Sequence, residues 1–245
     1  MRDDAVRTAI VTGAAGGVGA ATVEALLTRG YRVVAVDLAA APEAWAADER
    51  IAVIRADVRE EETAASAVRT AEQRFGRLDV LVNNAGLSLR KPLEETSLAE
   101  LQRLLAVNVV GTFLHTRAAI PALARTRGAI VNLGSISGLV GTPGQSAYSI
   151  TKGAIVQFTR QCAIEHAPRG VRVNAVAPGA IDTEFVAKAV ARGSEPGASD
   201  EQLRMNNPLG RISTAQEIAE AIVWLAEAEA ITGAILSVDG GHTAR

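Results

Sequence analysis

A chain of 245 residues suits one large domain with a substantial core rather than two small ones. A net charge of −2, with both signs scattered along the chain, leaves no electrostatic footprint for nucleic acid or an anionic membrane, so neither is an expected partner. The single cysteine, Cys162, excludes an intrachain disulfide and fits a reducing compartment, and a cytoplasmic protein is expected.

Hydrophobic residues make up 48% but aromatics only 3%, so the interior must be built from Ala, Val, Ile and Leu, as suits helices packed on a parallel sheet. The opening "MRDDAVRTAIVTG" is unlike a signal peptide, and no uninterrupted apolar run approaches the roughly 18 residues that span a bilayer. Short β-branched runs alternate with segments of helical period. A strand in "VRTAIVT" (6–12) leads through a glycine turn to a helix over Val18 to Thr28. "YRVVAVD" (31–37) and "RIAVIRA" (50–56) precede a helix over Glu60 to Phe75. "LDVLVNN" (78–84) precedes one over Leu98 to Ala124, and "GAIVNLGS" (128–135) one over Ala147 to His166. "GVRVNAVAP" (170–178), a helix over Ala215 to Ala228 and "GAILSVDG" (233–240) complete the series. The strands do not alternate apolar with polar residues, which predicts an α/β fold: one doubly wound parallel sheet of about seven strands with helices on both faces. Residues 1–245 form a single domain, interrupted by a polar insertion around 184–211 that is placed to cover a site beyond the strand ends.

In "VTGAAGGVGAAT" the first turn spaces Gly13, Gly17 and Gly19, with Val18 between, so that backbone amides and a helix N-terminus can face a pyrophosphate. Asp37, 18 residues beyond Gly19, ends the second strand, where an acid grips the adenosine ribose hydroxyls. The carboxylate would repel a 2′-phosphate, and Leu38 and Ala39 bring no cation, so NAD is favoured over NADP. Asp57, followed by Val58, is placed either to accept from an adenine amino group or to cap the next helix. "NNAG" brings Asn84, Ala85 and Gly86 to the end of the fourth strand, Gly86 permitting close approach of a ligand.

"SAYSITKG" places Tyr148 four residues before Lys152, about 6 Å along one helix face. A lysine cation about 5 Å away, at an effective dielectric of about 20, favours the phenolate by roughly 3 kcal/mol, a little over two pKa units. The pair therefore reads as an acid/base tuned towards neutrality. Ser135 lies at the edge of its strand, able to donate to a substrate oxygen beside the phenol, with Ser137 as an alternative. Asn108, polar in an apolar helical run, either holds a water leading from Lys152 or bonds a backbone carbonyl. His115, His166 and His242 show no ligand spacing, so no metal is expected, and Trp45 and Trp224 read as packing residues.

Over essentially its whole length the chain resembles the short-chain dehydrogenase/reductase family, through "TGAAGGVG", "NNAG", "VN" at 107–108, "GSIS", "YSITK", "NAVAPG" and "VDGG" in that order. The resemblance implies a Rossmann-type domain and a catalytic tetrad of Asn108, Ser135, Tyr148 and Lys152. Tyr148 would be the acid/base, and Lys152 would also bond the nicotinamide ribose. "PGAIDT" resembles the family's nicotinamide-carboxamide contact, implicating Pro178, Gly179, Ile181 and Thr183. The implied reaction is hydride transfer between nicotinamide and a secondary alcohol or ketone, with a small-molecule substrate whose pocket includes Leu87, Ser88, Leu89, Gln145, Ala180 and the 184–207 segment. Two alternatives are a 3-oxoacyl-thioester reductase using NADPH, disfavoured by Asp37, and a non-catalytic NAD(H) sensor, which would need neither Tyr148 nor Lys152. The helix Leu98 to Ala124 is apolar around much of its circumference, which implies a partner; a homotetramer or homodimer is expected.

Overall fold

The computed structural model describes residues 5–182 and 207–244. Its strands are β1 (Thr8–Thr12), β2 (Arg32–Asp37), β3 (Ile51–Arg55), β4 (Val80–Asn83), β5 (Ala129–Leu133), β6 (Arg172–Pro178), β7 (Ile181–Asp182), β8 (Ser213–Thr214) and β9 (Ile235–Val238). Seven of them form one parallel sheet in the order β3-β2-β1-β4-β5-β6-β9, as the apolar runs predict. The β7–β8 pair was not anticipated, because two-residue strands are too short to carry a periodic signal. Helices α1 (Gly17–Thr28), α2 (Glu61–Phe75), α5 (Ser146–His166) and α6 (Ala215–Glu227) fall within two residues of the predicted spans, and the single span predicted over Leu98 to Ala124 is divided into α3 (Leu98–Leu105) and α4 (Thr112–Thr126).

The core has two layers. On one face, Val18, Val23 and Leu26 of α1 and Ile218, Ile222 and Val223 of α6 pack on Val11, Val33, Val82 and Val131 of the sheet. On the other, Ala67, Ala71 and Phe75 of α2, Ile120 and Leu123 of α4, and Cys162 and Ala163 of α5 pack on Ile10, Val34, Leu81 and Ile130. Burying each large aliphatic side chain stabilises the fold by about 1.5–3 kcal/mol. Trp45 packs in the first layer, but Trp224 is 51% exposed on α6, contrary to its assignment as a packing residue.

Helices α3 and α4 form one continuous rod from Leu98 to Thr126, joined by a π-helical turn over Ala106–Gly111. By length and mean hydropathy this rod could cross a membrane, which the count of uninterrupted apolar residues did not register. Half of its most apolar stretch is buried, and Leu114, Ala119, Ile120 and Leu123 are spent on the core.

The chain runs from β1 outward to β2 and β3, then returns to β4 on the opposite side of β1. This reversal opens a crevice between the carboxyl ends of β1 and β4, the position at which ligands bind in open α/β sheets. Asn84 closes its floor. The side-chain amide donates to the carbonyls of Thr12 (3.0 Å) and Gly13 (2.8 Å), while the amides of Asn84 and Ala85 each donate to Thr12 Oγ1 at 3.1 Å.

Candidate functional site

The glycine turn is first of all a packing requirement. Gly13 has a φ of +63°, and a Cβ on it would lie 2.7 Å from Ala85 Cα; a Cβ on Gly19 would meet Gly13 O at 1.9 Å. Only hydrogen at these positions lets α1 start directly over the β1–β4 crevice. No side chain caps α1, so the amides of its first turn, at Gly17 and Val18, are left for an anion.

Asp37 lies beside this turn, its two carboxylate oxygens accepting from Ala15 N (2.8 Å) and Ala39 N (2.9 Å). Parallel pairing sets Arg55 of β3 directly opposite, and its Nε donates to Leu38 O at 3.0 Å. The cation beside Asp37 was missed in the sequence because it comes from a neighbouring strand 18 residues away, and only the register brings it there. Asp57 is gripped by Arg59, with Nε at 3.0 and 2.9 Å from its oxygens and Nη2 at 2.5 Å, and it accepts from Arg59 N at 2.9 Å. The guanidinium holds the Asp57 carboxyl below its ordinary range. Val58 packs against Gly111 of the π turn.

The reacting groups meet where β5 ends. Ser135 is buried and opens a short 3-10 turn (Ile136–Gly138), and its Oγ accepts from Ser137 N at 3.2 Å. The Ser135 hydroxyl neighbours the Tyr148 phenol closely enough to lower its pKa. Ser137 donates its own hydroxyl to Gln145 Oε1 at 2.5 Å, which leaves Ser135 as the hydroxyl beside the phenol. Lys152 is buried, with Nζ donating to Leu133 O at 2.7 Å and lying 5.6 Å from the Tyr148 ring centre. Gly86 faces the same point: a Cβ there would stand 3.4 Å from Asn108 Oδ1 and 3.8 Å from Lys152 Nζ.

Asn108 resolves into the second of its two readings. Its Nδ2 donates to Leu87 O (2.9 Å) and Thr151 Oγ1 (3.0 Å), and its Oδ1 accepts from Leu87 N at 2.7 Å. The π turn carries it inward, buried, to tie the strand-loop after β4 to helix α5.

Burial pushes the Tyr148 phenol up to about 12, although the Ser135 hydroxyl works in the opposite direction, and burial pulls Lys152 down to about 8. In the free protein burial, rather than the Lys152 ammonium, sets the direction of the Tyr148 shift. Among the other candidates, Pro178 and Gly179 end β6, with Gly179 N donating to Val238 O at 3.2 Å, and Ile181 pairs with Ser213. Thr183 and most of the expected covering segment, 184–206, lie outside the described residues. His115 is buried, with Nδ1 3.0 Å from Gly111 O, and burial lowers its pKa.

The chain is similar to known proteins over nearly its full length. A family model described as enoyl-(acyl carrier protein) reductase matches residues 13–243. Cis-4-hydroxycyclohexanecarboxylate dehydrogenase of Sinomonas cyclohexanicum is 41% identical, over 98% of each chain. 2-(S)-hydroxypropyl-CoM dehydrogenase 3 of Xanthobacter autotrophicus (strain ATCC BAA-1158 / Py2) is 40% identical, over 96% of this chain and 95% of the relative. Among solved structures, that titled ElxO with NADP bound superposes with a TM-score of 0.89 at 32% identity, covering 98% of this chain and 100% of the other.

The second tyrosine, Tyr31, is also raised by burial, so neither phenol ionises in the ordinary range. Absorbance at 295 nm of the free protein is expected to stay nearly flat from pH 7 to pH 10, where an unperturbed tyrosine with a pKa of about 10 is half ionised. A tyrosinate transition centred below about pH 9, lost in Tyr148→Phe, would contradict the desolvated phenol.

Proposed function

Because the chain belongs to the short-chain dehydrogenase/reductase family, it is an oxidoreductase that interconverts secondary alcohols and ketones, and we propose that it does so with NAD(H) through Tyr148, Ser135 and Lys152. The observation that carries this reading is the convergence of the Ser135 hydroxyl, the Tyr148 ring and the buried Lys152 ammonium, 5.6 Å from that ring's centre, at the carboxyl end of β5, beside the β1–β4 crevice.

The nicotinamide, when bound, supplies or accepts the hydride. In reduction, Tyr148 gives its proton to the oxygen that becomes the alcohol, and a phenol raised to about 12 is fully protonated for this at neutral pH. Ser135 donates to the same oxygen and polarises the carbonyl. In oxidation the phenol must first lose its proton, and Lys152, still mostly charged at pH 7 with a pKa of about 8, favours the phenolate. Asn108 is a positioning residue in this scheme, since both its amide hydrogens are spent on Leu87 O and Thr151.

The residues proposed to hold the cofactor follow the crevice. Gly13, Gly17, Val18 and Gly19 face the pyrophosphate, Asp37 and Leu38 the adenosine ribose, and Asp57 and Val58 the adenine. Asn84, Ala85 and Gly86 line the floor, Pro178, Gly179 and Ile181 would face the carboxamide, and Thr183 is assigned there by the "PGAIDT" resemblance alone. The uncapped start of α1 and the Asp37 carboxylate beside it support the fit. The names of the two dehydrogenase relatives support a small or medium hydroxy compound as substrate. The acyl-carrier-protein wording of the family description and the NADP of the structural neighbour favour the second reading, an NADPH-dependent 3-oxoacyl-thioester reductase, against which the Asp37 carboxylate weighs. The exposed Val110 (46%), Phe113 (44%) and Ile150 (52%) on the α3–α4 rod and α5 support a symmetric homo-oligomer joined through these helices.

Tyr148→Phe is expected to bind NADH normally and to lose turnover of a panel of alcohols and ketones, followed at 340 nm, by about 10²–10⁴-fold; unchanged turnover would remove Tyr148 from its role. NADH is expected to bind more tightly than NADPH, and Asp37→Ala to reverse that order because Arg55 remains to meet a 2′-phosphate. Tighter NADPH binding by the wild type would overturn the cofactor assignment. Sedimentation at micromolar concentration is expected to show an oligomer, and a sole 25.4 kDa species would exclude it.

A further inference from the structure

The loop that leaves β4 is a strap pinned at two points. At its start, Leu87 is held through both its N–H and its carbonyl by the Asn108 side chain. At its end, Lys91 N donates to Gly144 O at 2.7 Å, four residues before Tyr148. Ser88, Leu89 and Arg90 between these anchors are partly buried. The Arg90 side chain runs along Gly144: a Cβ on that glycine would lie 3.4 Å from Arg90 Cγ and 3.9 Å from Nε. The next residue, Gln145, accepts the Ser137 hydroxyl and so borders the Ser135–Tyr148 pair.

Several cations among the described residues have partners of their own. Lys91 bonds Glu100 at 3.2 and 3.3 Å, Arg211 bonds Glu217 through both terminal nitrogens, and Lys152 bonds Leu133 O. Arg90 makes no ion pair or side-chain hydrogen bond among the described residues. A guanidinium with no ionic partner presents a planar fork of donors that matches a carboxylate. The tethers fix the backbone that carries Arg90, beside Gly144 and so four residues from Tyr148, which limits the reach of the fork to one side of the cleft.

We propose that Arg90 is a specificity-determining residue that binds a carboxylate carried by the alcohol substrate, at the end remote from the hydroxyl oxidised at Tyr148. The inference rests on the dehydrogenase reading and adds the class of substrate: hydroxy acids in which carbinol and carboxylate are separated by a short or cyclic carbon spacer.

The test compares 4-hydroxycyclohexanecarboxylate with its uncharged methyl ester in the full-length protein, using wild type, Arg90→Gln and Arg90→Lys. Wild type is expected to favour the acid in kcat/KM. Arg90→Gln is expected to lose about tenfold to a hundredfold on the acid, mainly through KM, as befits one charge-assisted contact. That loss should exceed any loss on the ester by at least tenfold, with Arg90→Lys recovering part of it. In parallel, binding of cyclohexanecarboxylate to the NADH-loaded protein is expected by calorimetry to weaken in Arg90→Gln, a readout that needs no turnover. Equal effects on acid and ester, or carboxylate binding that survives the substitution, would overturn the role of Arg90. If wild type binds the carboxylate through Arg90 but oxidises no alcohol of the panel, the dehydrogenase reading fails and the anion site stands; if it oxidises neutral alcohols as well as the acid, the anion site fails alone.

Discussion

The site is built on one contact, the hydrogen bond from the buried Lys152 ammonium to the Leu133 carbonyl. Taking an ammonium out of water costs several kcal/mol, and the drop of its pKa to about 8 is the direct expression of that cost. The protein sustains it because the acceptor is the last residue of a central strand, which has no freedom to move away. The bond fastens α5 to the end of β5, and helical spacing then carries Tyr148 one turn back to Ser135, which lies two residues beyond Leu133.

Two asparagine side chains extend that constraint. Asn84 stitches β4 to the carbonyls that end β1, so the crevice at the switch of strand order has a rigid floor. Asn108 reaches from the π turn to both Leu87 and Thr151, linking the strap over the cleft to the helix that carries the acid/base. Both amides are buried or partly so, Asn84 bonding backbone carbonyls and Asn108 bonding the Leu87 backbone and the Thr151 hydroxyl, which is how a polar group can be kept inside without a net loss. The local widening of the helix at Ala106–Gly111 is what turns Asn108 inward.

Tyr148 and Lys152 are shifted in opposite directions by the same cause. Burial disfavours the charged form of each, the phenolate and the ammonium, so the free site holds its proton on the phenol and exerts only a modest grip on the lysine's. Such a site is set for proton donation, and the reverse step depends on additional positive charge near the phenol. Arg90 and Arg55 extend this electrostatic layout outwards, one beside Gly144 on the substrate side and the other beside Leu38 next to Asp37.

The sequence by itself determined the seven parallel strands, because β-branched runs covered on both faces leave no other pattern. It also determined the spans of four helices to within two residues, the glycine turn, and the helical face shared by Tyr148 and Lys152, all of which follow from local sterics and a period of 3.6 or 2 residues. What only the tertiary structure decided came from groups distant along the chain. Arg55 beside Asp37, the tie that Asn108 makes to Leu87 and Thr151, Ser135 rather than Ser137 beside the phenol, and the strap lying on Gly144 all depend on strand register or side-chain reach. The direction of the Tyr148 shift belongs there too. Charge proximity can be read from spacing along a helix, but the loss of water that raises the phenol depends on which elements pack around the ring, and that is a property of the packed fold.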